Sequence, residues 1–458
     1  YRSNNSSRII DEAYWYLKGI TWTVISSLGT GFRFLPADTT FDTKGLALFF
    51  QRDEDLNRVL LMFNSVVGKA YLKILNPTFC LNTIDVKAVP YSSAVSLKEV
   101  SAQYLIELSN QDWNAYEHSW DFQNNLLLPR SSDCHPTLES CYIAWNTQNR
   151  VTIAQMQRLE EENNLLFINA YGLAAELTPE VPIEQITLTV NPAYRYGGNL
   201  TEEEQWTRFR KDTIAELVSY AVGCMMGRYS LDDPGLIYAH GGNIGFDATR
   251  YKTFHADADG IVPVTDELWF DDDATNRMRE FLRAAWGGEH LDQNLEFFAA
   301  NLDTKGNEMP DETVRRYLAN QFFKDHLQAY KRRPIYWLFS SGKQGAFQAL
   351  VYLHRYNEGT LSRMRAEYVV PLTGKMQSRI EMLEKDRDAA SSTAARTKFA
   401  KQIESLKKKH VELLAYDEKL RHYADMRIQL DLDDGVKVNY GKFGDLLADV
   451  KAVTGGTG

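Results

Sequence analysis

The feature that most narrows the possible folds is a rhythm of apolar residues towards the C-terminal end. Met376, Ile380 and Leu383 recur at spacings of four and three, and after the small polar stretch 389–394 the rhythm resumes with Phe399, Ile403, Leu406, His410 and Leu413. Residues three and four apart share one face of a helix, so each run makes an apolar stripe. Two stripes separated by a short break bury one another by folding back, which predicts an antiparallel helical hairpin with Lys407, Lys408 and Lys409 on its outer faces.

The opposite end reads differently. ITWTVISS (20–27), FRFLP (32–36) and TTFDTKGLALFF (39–50) are short β-prone runs, separated by Gly29-Thr30-Gly31 and broken at Gly45, so short strands are expected. A helix should follow, capped by Asp53 or Asp55, with Leu56, Leu60, Phe63, Val67, Ala70 and Ile74 on one stripe. Asn76-Pro77 should end it, because proline restricts the residue before it and cannot continue helical hydrogen bonding. Residues 78–90 are then expected to run extended to Pro90.

Residues 93–178 read as mainly helical, with a loop near 129–142 and the strongest helix over 158–177 until Gly172 interrupts it. Residues 183–190 (IEQITLTV) suggest a strand, 202–225 a helix, and 336–356 two strands around a Gly342 to Gly345 turn. The expected class is α+β. A mixed α/β region over 1–92 precedes a helix-rich connector with mixed structure over 93–370, and residues 371–458 carry the helical hairpin and a tail.

A chain of 458 residues with 44% hydrophobic content can bury two or three cores. No run of eighteen apolar residues occurs and the first thirty residues lack the order of a secretory signal, which suggests a soluble, cytoplasmic protein without a membrane partner. The start at Tyr1 suggests a piece of a longer polypeptide. Four scattered cysteines without a CxxC pair fit a reducing compartment. Cys134, His135 and Cys141 are the one cluster with metal-binding chemistry, and it lacks the fourth ligand a structural zinc ion needs. The net charge of −10 resides in the middle: the balance is +2 over 1–92, −14 over 93–370 and +2 over 371–458. The two ends are therefore the parts that could face a polyanion.

Three short motifs have bland readings. Asn191-Pro192-Ala193-Tyr194 is one proline short of the Asn-Pro-Pro-Tyr that holds a flipped adenine, and no glycine-rich turn suited to S-adenosylmethionine follows an upstream strand. SSGKQG (340–345) has Trp337 where a phosphate loop needs its first glycine and no Ser or Thr after Lys343. HGGNIGF (240–246) lacks a βαβ frame and reads as a loop.

Longer segments carry a resemblance. ITWTVISSLGTGFRFLP (20–36) and YLKILNPTFCLNTIDVKAVP (71–90) look like the target-recognition region of PglX-type adenine-specific DNA methyltransferases of BREX phage-defence systems. LEEENNLLFINAYGLAAELTPEVPIEQITL (159–188) is similar to that family's helical connector. SYAVGCMMGRYSLDDPGLIYA (219–239) and KRRPIYWLFSSGKQGAFQALVYLHRY (331–356) resemble two further segments. The resemblance covers most of the chain from about residue 20 to residue 440. It implies DNA target recognition within an S-adenosylmethionine-dependent enzyme, with the cofactor site and true Asn-Pro-Pro-Tyr N-terminal to Tyr1 and neither catalytic residues nor cofactor in this chain. It implies double-stranded DNA and an N-terminal methyltransferase domain as partners, with other BREX proteins or a phage DNA-mimic inhibitor as further candidates.

Site-specific methylation requires base reading, which arginine performs on guanine and asparagine or glutamine on adenine in the major groove. Arg33, Lys44, Asn76, Thr78, Asn82 and Lys87 are the candidates, because they lie at strand ends, turns or helix ends. Lys69 and Lys73, one helical turn apart, and the run Lys331, Arg332 and Arg333 are candidates for gripping phosphates. On the plainer reading Asn76 and Thr78 merely finish a helix, the lysines are a solvated face, and Trp22, Phe32 and Phe34 are core. Two alternatives stand beside DNA recognition. One is an interaction scaffold built on the acidic middle and the hairpin, and the other a type I restriction-like specificity subunit, which would usually carry two recognition regions where one is visible.

Overall fold

The computed structural model describes residues 11–26, 31–42, 44–92, 95, 101–129 and 136–455. The backbone divides into two compact units, Tyr1–Trp113 with Asn146–Gln205, and Asn114–Trp145 with Trp206–Gly458. The compositional boundaries at 92/93 and 370/371 lie inside these units. The chain passes from one unit to the other within helices, so no loop-like composition marks the passage.

The first unit opens with strands β1 (Gly19–Thr23), β2 (Arg33–Leu35) and β3 (Gly45–Phe49), antiparallel in the order β2-β1-β3. Ile20 stands opposite Phe34 on one side and Leu48 on the other. Helices α1 (Asp53–Asn64) and α2 (Val66–Leu75) follow where one helix was expected. The break is at Ser65, whose extended backbone (φ −75°, ψ 160°) ends α1 and whose hydroxyl accepts from Gly68 N at 3.2 Å to cap α2. Ile20, Trp22 and Phe32 are buried, and Phe32 stacks on Phe63 at 4.5 Å between ring centres, so two of the three aromatics read as core are core; Phe34 is partly buried.

Residues 78–90 do not run extended. Cys80 forms a single bridge with Ile25, and the chain then coils into α3 (Thr83–Lys87), started when Asn82 N donates to the Asp85 carboxylate at 2.9 Å. Helix α4 (Ala102–Asn114) is followed by α5 (Leu138–Tyr171), which begins inside the expected 129–142 loop and ends where Gly172 takes φ +70°. In this unit Asn163 Nδ2 donates to Leu61 O at 2.9 Å and Asn164 Oδ1 accepts from Val66 N at 2.8 Å, pinning α5 to the α1–α2 junction.

The strand expected over 183–190 is absent. A 3₁₀ turn (Ile183–Gln185) and tight turns occupy it, and the N–H groups of Thr189 and Val190 donate to the Asp112 carboxylate at 2.7 and 3.0 Å, taking the place of a ladder. Asn191 then caps the short α6 (Pro192–Tyr196).

The second unit contains most of α7 (Glu202–Met225), then β4 (Ile261–Pro263), α8 (Ala274–Trp286), α9 (Leu291–Ala300), α10 (Pro310–Asn320), α11 (Phe322–Ala329), β5 (Tyr336–Ser340) and β6 (Gln348–Tyr352). The sheet order is β4-β6-β5, antiparallel, with the expected turn between β5 and β6. Helix α12 (Thr360–Arg363) passes through a π-helical turn (Met364–Val369) into α13 (Val370–Ala389), and α14 (Thr393–Asp425) folds back beside it. The π turn lies next to Pro371, whose missing N–H removes a helical bond. Ile380 and Leu383 pack on Ile403 and Leu406, with Phe399 at the edge, as the four-three rhythm predicts. Lys409 departs from it: it is buried and paired with Asp266, whereas Lys407 and Lys408 are exposed. Helices α15 (Gly435–Gly441) and α16 (Val450–Thr454) complete the chain, which is α+β overall.

Candidate nucleic-acid interface

In the first unit the structure gathers five of the candidate residues, Lys73, Asn76, Thr78, Asn82 and Lys87, along the segment that links α2 to α3. The polar groups of Asn76 and Thr78 are spent on the segment itself. Asn76 Nδ2 donates to Cys80 O at 2.8 Å and to the Asp85 carboxylate at 2.7 Å, while Asn76 Oδ1 accepts from Thr78 N at 3.0 Å and from Thr78 Oγ1 at 2.6 Å. Thr78 Oγ1 also accepts from Cys80 N at 3.3 Å. The segment is tied back to the β1 end of the sheet by Ser26 N to Phe79 O at 3.0 Å, Leu81 N to Val24 O at 2.7 Å and Trp22 Nε1 to Leu81 O at 3.1 Å. An amide committed at all its positions has no paired donor and acceptor left for an adenine edge.

Beside its exposed polar residues this segment offers large apolar side chains to solvent. Ile74 is 78% exposed, Phe79 70% and Ile84 76%, with Leu75 and, across the bridge from Cys80, Ile25 also exposed. Phe79 is the middle residue of the connection 76–82. Lys73 and Lys87 flank the apolar group, both exposed and without an ion pair among the described residues. Sequence reasoning placed Ile74 on the apolar stripe of the helix, where the structure leaves it in solvent, and passed over Phe79 and Ile84. The available sign was the departure of Phe79 and Ile84 from any core stripe, in a stretch whose polar residues all form turns.

Arg33 and Lys69 lie apart from that segment and come together over Glu160 on α5. Burial raises the Glu160 carboxyl above its ordinary range, and the charges of Lys69 and Arg33 offset part of that. Arg33 also donates to Phe32 O at 3.1 Å and to Thr187 Oγ1 at 3.3 Å. Lys44 is exposed beside Asp42, whose carboxylate accepts from the backbone N–H groups of Gly45 and Lys44 and is held below the usual range by them.

In the second unit Lys331, Arg332 and Arg333 are exposed at the C-terminal end of α11. Arg332 N donates to Leu327 O at 2.7 Å, and Lys331 and Arg332 take left-handed backbone angles, φ +50° and +60°. This closes the helix as a glycine usually would, at a cost of roughly 1–2 kcal/mol for each side chain. Cations there also oppose the negative end of the helix dipole.

The second unit holds a buried polar centre that no motif announced. The Glu117 carboxylate accepts from Ser219 Oγ at 3.1 Å and Tyr330 OH at 3.0 Å through one oxygen, while the other is buried without a partner among the described residues. Burial pushes its carboxyl up to about 7 although Arg228 pulls the other way. Arg228 donates to Tyr352 OH at 3.3 Å, and its Nε is buried without a partner among the described residues. His326 Nε2 accepts from Ile335 N at 3.0 Å and Tyr336 N at 3.2 Å, so its proton sits on Nδ1, and burial beside Arg228 pushes its pKa down to about 3. A Cβ at position 223 would collide with the Tyr229 ring and the Tyr336 hydroxyl, so glycine is needed on α7 to let both close in.

Two of the motifs set aside on sequence grounds are tied into the fold by their own hydrogen bonds. Asn191 Nδ2 donates to Ile183 O at 2.7 Å and Ile186 O at 2.9 Å, and its Oδ1 accepts from Ala193 N, so no amide group faces outward. The 341–347 loop is gathered by Glu412, which accepts from Ser341 Oγ, Gln344 N and Ala346 N, and it leads into a strand, whereas a phosphate loop leads into a helix. Of the cysteine-histidine cluster, Cys134 and His135 lie outside the described residues; among the described ones no group of three or more His, Cys, Asp or Glu is placed to hold a metal. No helix among them is long and apolar enough to cross a membrane.

These features define a class: an α+β chain that presents a hydrogen-bonded, lysine-flanked apolar segment. By sequence the chain is similar, along nearly its whole length, to part of two adenine-specific methyltransferases. It is 46% identical over 462 residues, 98% of its length, to the adenine-specific methyltransferase BrxX of Escherichia coli O9:H4 (strain HS), and 37% identical over 445 residues, 96% of its length, to the adenine-specific methyltransferase PglX of Lacticaseibacillus casei (strain Zhang). It spans 38% and 35% of those proteins, well under half of either. No family model matches the chain.

Proposed function

We propose that this chain is the C-terminal, DNA-contacting part of a site-specific adenine DNA methyltransferase that marks host DNA in BREX phage defence. S-adenosylmethionine and the methyl-transfer residues belong to an N-terminal methyltransferase domain, its partner in the same enzyme. The observation that carries this reading is the 46% identity to an adenine-specific methyltransferase along nearly the whole chain. The first unit supports it, because rigid presentation of lysines and apolar groups suits a surface that grips phosphates and touches base faces or thymine methyls. Arg33, Lys44, Lys69, Lys73 and Lys87 are proposed phosphate contacts there, and Lys331, Arg332 and Arg333 in the second unit. Asn76, Thr78 and Asn82 act in this account by shaping the segment.

The test is to map N6-methyladenine across the genome of cells carrying the gene for this chain in its own locus, beside cells with Lys73→Ala and Lys87→Ala together. One methylated motif in the first and weakened methylation in the second supports the proposal. Unaltered methylation removes these lysines from it, and a genome without methylation at any common motif turns the account towards a scaffold that docks other defence proteins.

A further inference from the structure

We propose that the α2–α3 segment is a wedge: Phe79, backed by Ile74 and Ile84, enters duplex DNA and partly unstacks a base step, while Lys73 and Lys87 hold the flanking phosphates. This rests on the DNA-contacting reading above and says what that surface does to the duplex.

Three features point the same way. Large apolar side chains left in solvent together mark a contact surface more often than chance exposure does, and here Ile74, Phe79 and Ile84 fall within eleven residues, each at least 70% exposed. The segment is also stiff: Asn76, Thr78, Asp85 and the backbone bonds to Val24 and Ser26 fix it from both ends. A wedge must not fold away when it meets the stack, and this one has few free torsions beyond those of the apolar side chains themselves. Finally, the charges around it select the partner. Lys73 and Lys87 are unpaired among the described residues, and Asp85, the acid within the segment, is consumed by Asn76 Nδ2 and Asn82 N. Apolar side chains with a cationic rim fit a polyanion that has an apolar interior, which is a nucleic-acid duplex. A protein chain of ordinary composition would be expected to answer them with acids and apolar groups of its own, and is the alternative outcome of the test. Chemistry on a base requires its removal from the stack, so unstacking a nearby step lowers the cost of that extrusion.

Closed circular plasmid from cells lacking the gene is incubated with the purified chain, relaxed with a topoisomerase, stripped of protein and resolved by linking number. A side chain inserted between base pairs unwinds the duplex, so the wild-type chain should leave the plasmid negatively supercoiled in proportion to the protein bound. Phe79→Ala should abolish that shift and weaken binding by about tenfold, while the salt dependence of the binding that remains stays as in wild type. Phe79→Trp should preserve the shift. Thermal unfolding of Phe79→Ala should match wild type, since the side chain is exposed. Plasmid binding without a linking-number shift, or a shift that survives in Phe79→Ala, overturns the wedge and leaves the DNA-contacting reading standing. If the chain does not bind plasmid at any salt, both fall, and retention of a protein through Phe79 would then identify the surface as a protein-docking one.

Discussion

The α2–α3 segment of the first unit commits the Asn76 amide to its own hydrogen bonds and leaves apolar side chains in water, while the centre around Glu117 and Arg228 in the second unit places ionisable groups in the interior. Both depart from ordinary partitioning, and they do so at different cost. An apolar side chain in water forfeits burial worth roughly 1.5–3 kcal/mol but strains nothing, so such a surface is free to be used by a partner. A buried ionisable group without a full set of partners acts on the fold directly, through desolvation. The contrast separates a surface built for contact from a core that couples stability to protonation.

The largest expected effect lies in the core. Arg228→Ala removes the cation facing Glu117 and Tyr352 and should lower unfolding free energy by about 3 kcal/mol, seen as a lower denaturant midpoint; a change below a tenth of that would mean the centre is solvated. The pH dependence comes next. Burial pushes the Glu117 carboxyl up to about 7 in the folded state, above its ordinary 4.5, so the folded chain binds more protons between those values and this carboxyl's contribution falls as pH rises through the window. The span is on the order of 3 kcal/mol. His326, depressed to about 3, works oppositely below 6.5, losing stability as pH falls. The clean readout is therefore the difference between wild type and Glu117→Gln: wild type should lose stability relative to the variant as pH goes from 5 to 8, and parallel curves would contradict the burial of this acid.

Smaller effects belong to the first unit. Asn76→Ala deletes both donors and the acceptor that gather the loop and should cost about 2 kcal/mol, with faster amide exchange at Thr78 and Cys80; retained exchange protection would show that the backbone bonds alone hold the segment. Phe79→Ala should change stability by less than about 0.5 kcal/mol, the smallest effect here, and a larger loss would mean that the ring supports the fold.

The hairpin was legible because its spacing is a period, and a period survives without knowledge of what surrounds it: Ile380, Leu383, Ile403 and Leu406 are where the rhythm puts them. Lys409 escaped because the acid that buries it, Asp266, comes from 143 residues earlier. The 183–190 strand failed for a similar reason. Its residues suit a sheet, but Asp112, far away in sequence, takes the N–H groups a ladder would have used. In the candidate site, the cluster of Lys73, Asn76, Thr78, Asn82 and Lys87 was visible because they share a turn-rich stretch; that the Asn76 amide looks inward and Phe79 outward depends on the bridge between Ile25 and Cys80. The buried centre had no sequence signature, since Glu117, Arg228, His326 and Tyr336 are scattered over more than 200 residues and meet only in three dimensions.

The central claim is that the surface around the α2–α3 segment contacts duplex DNA, and binding of the chain to a long mixed-sequence duplex as a function of salt tests it most directly. The account predicts a logarithmic fall of affinity with salt, with the slope reduced by about two when Lys73 and Lys87 are both replaced by alanine. Binding whose salt slope is unchanged by that pair of substitutions, or no binding at low salt, would contradict it.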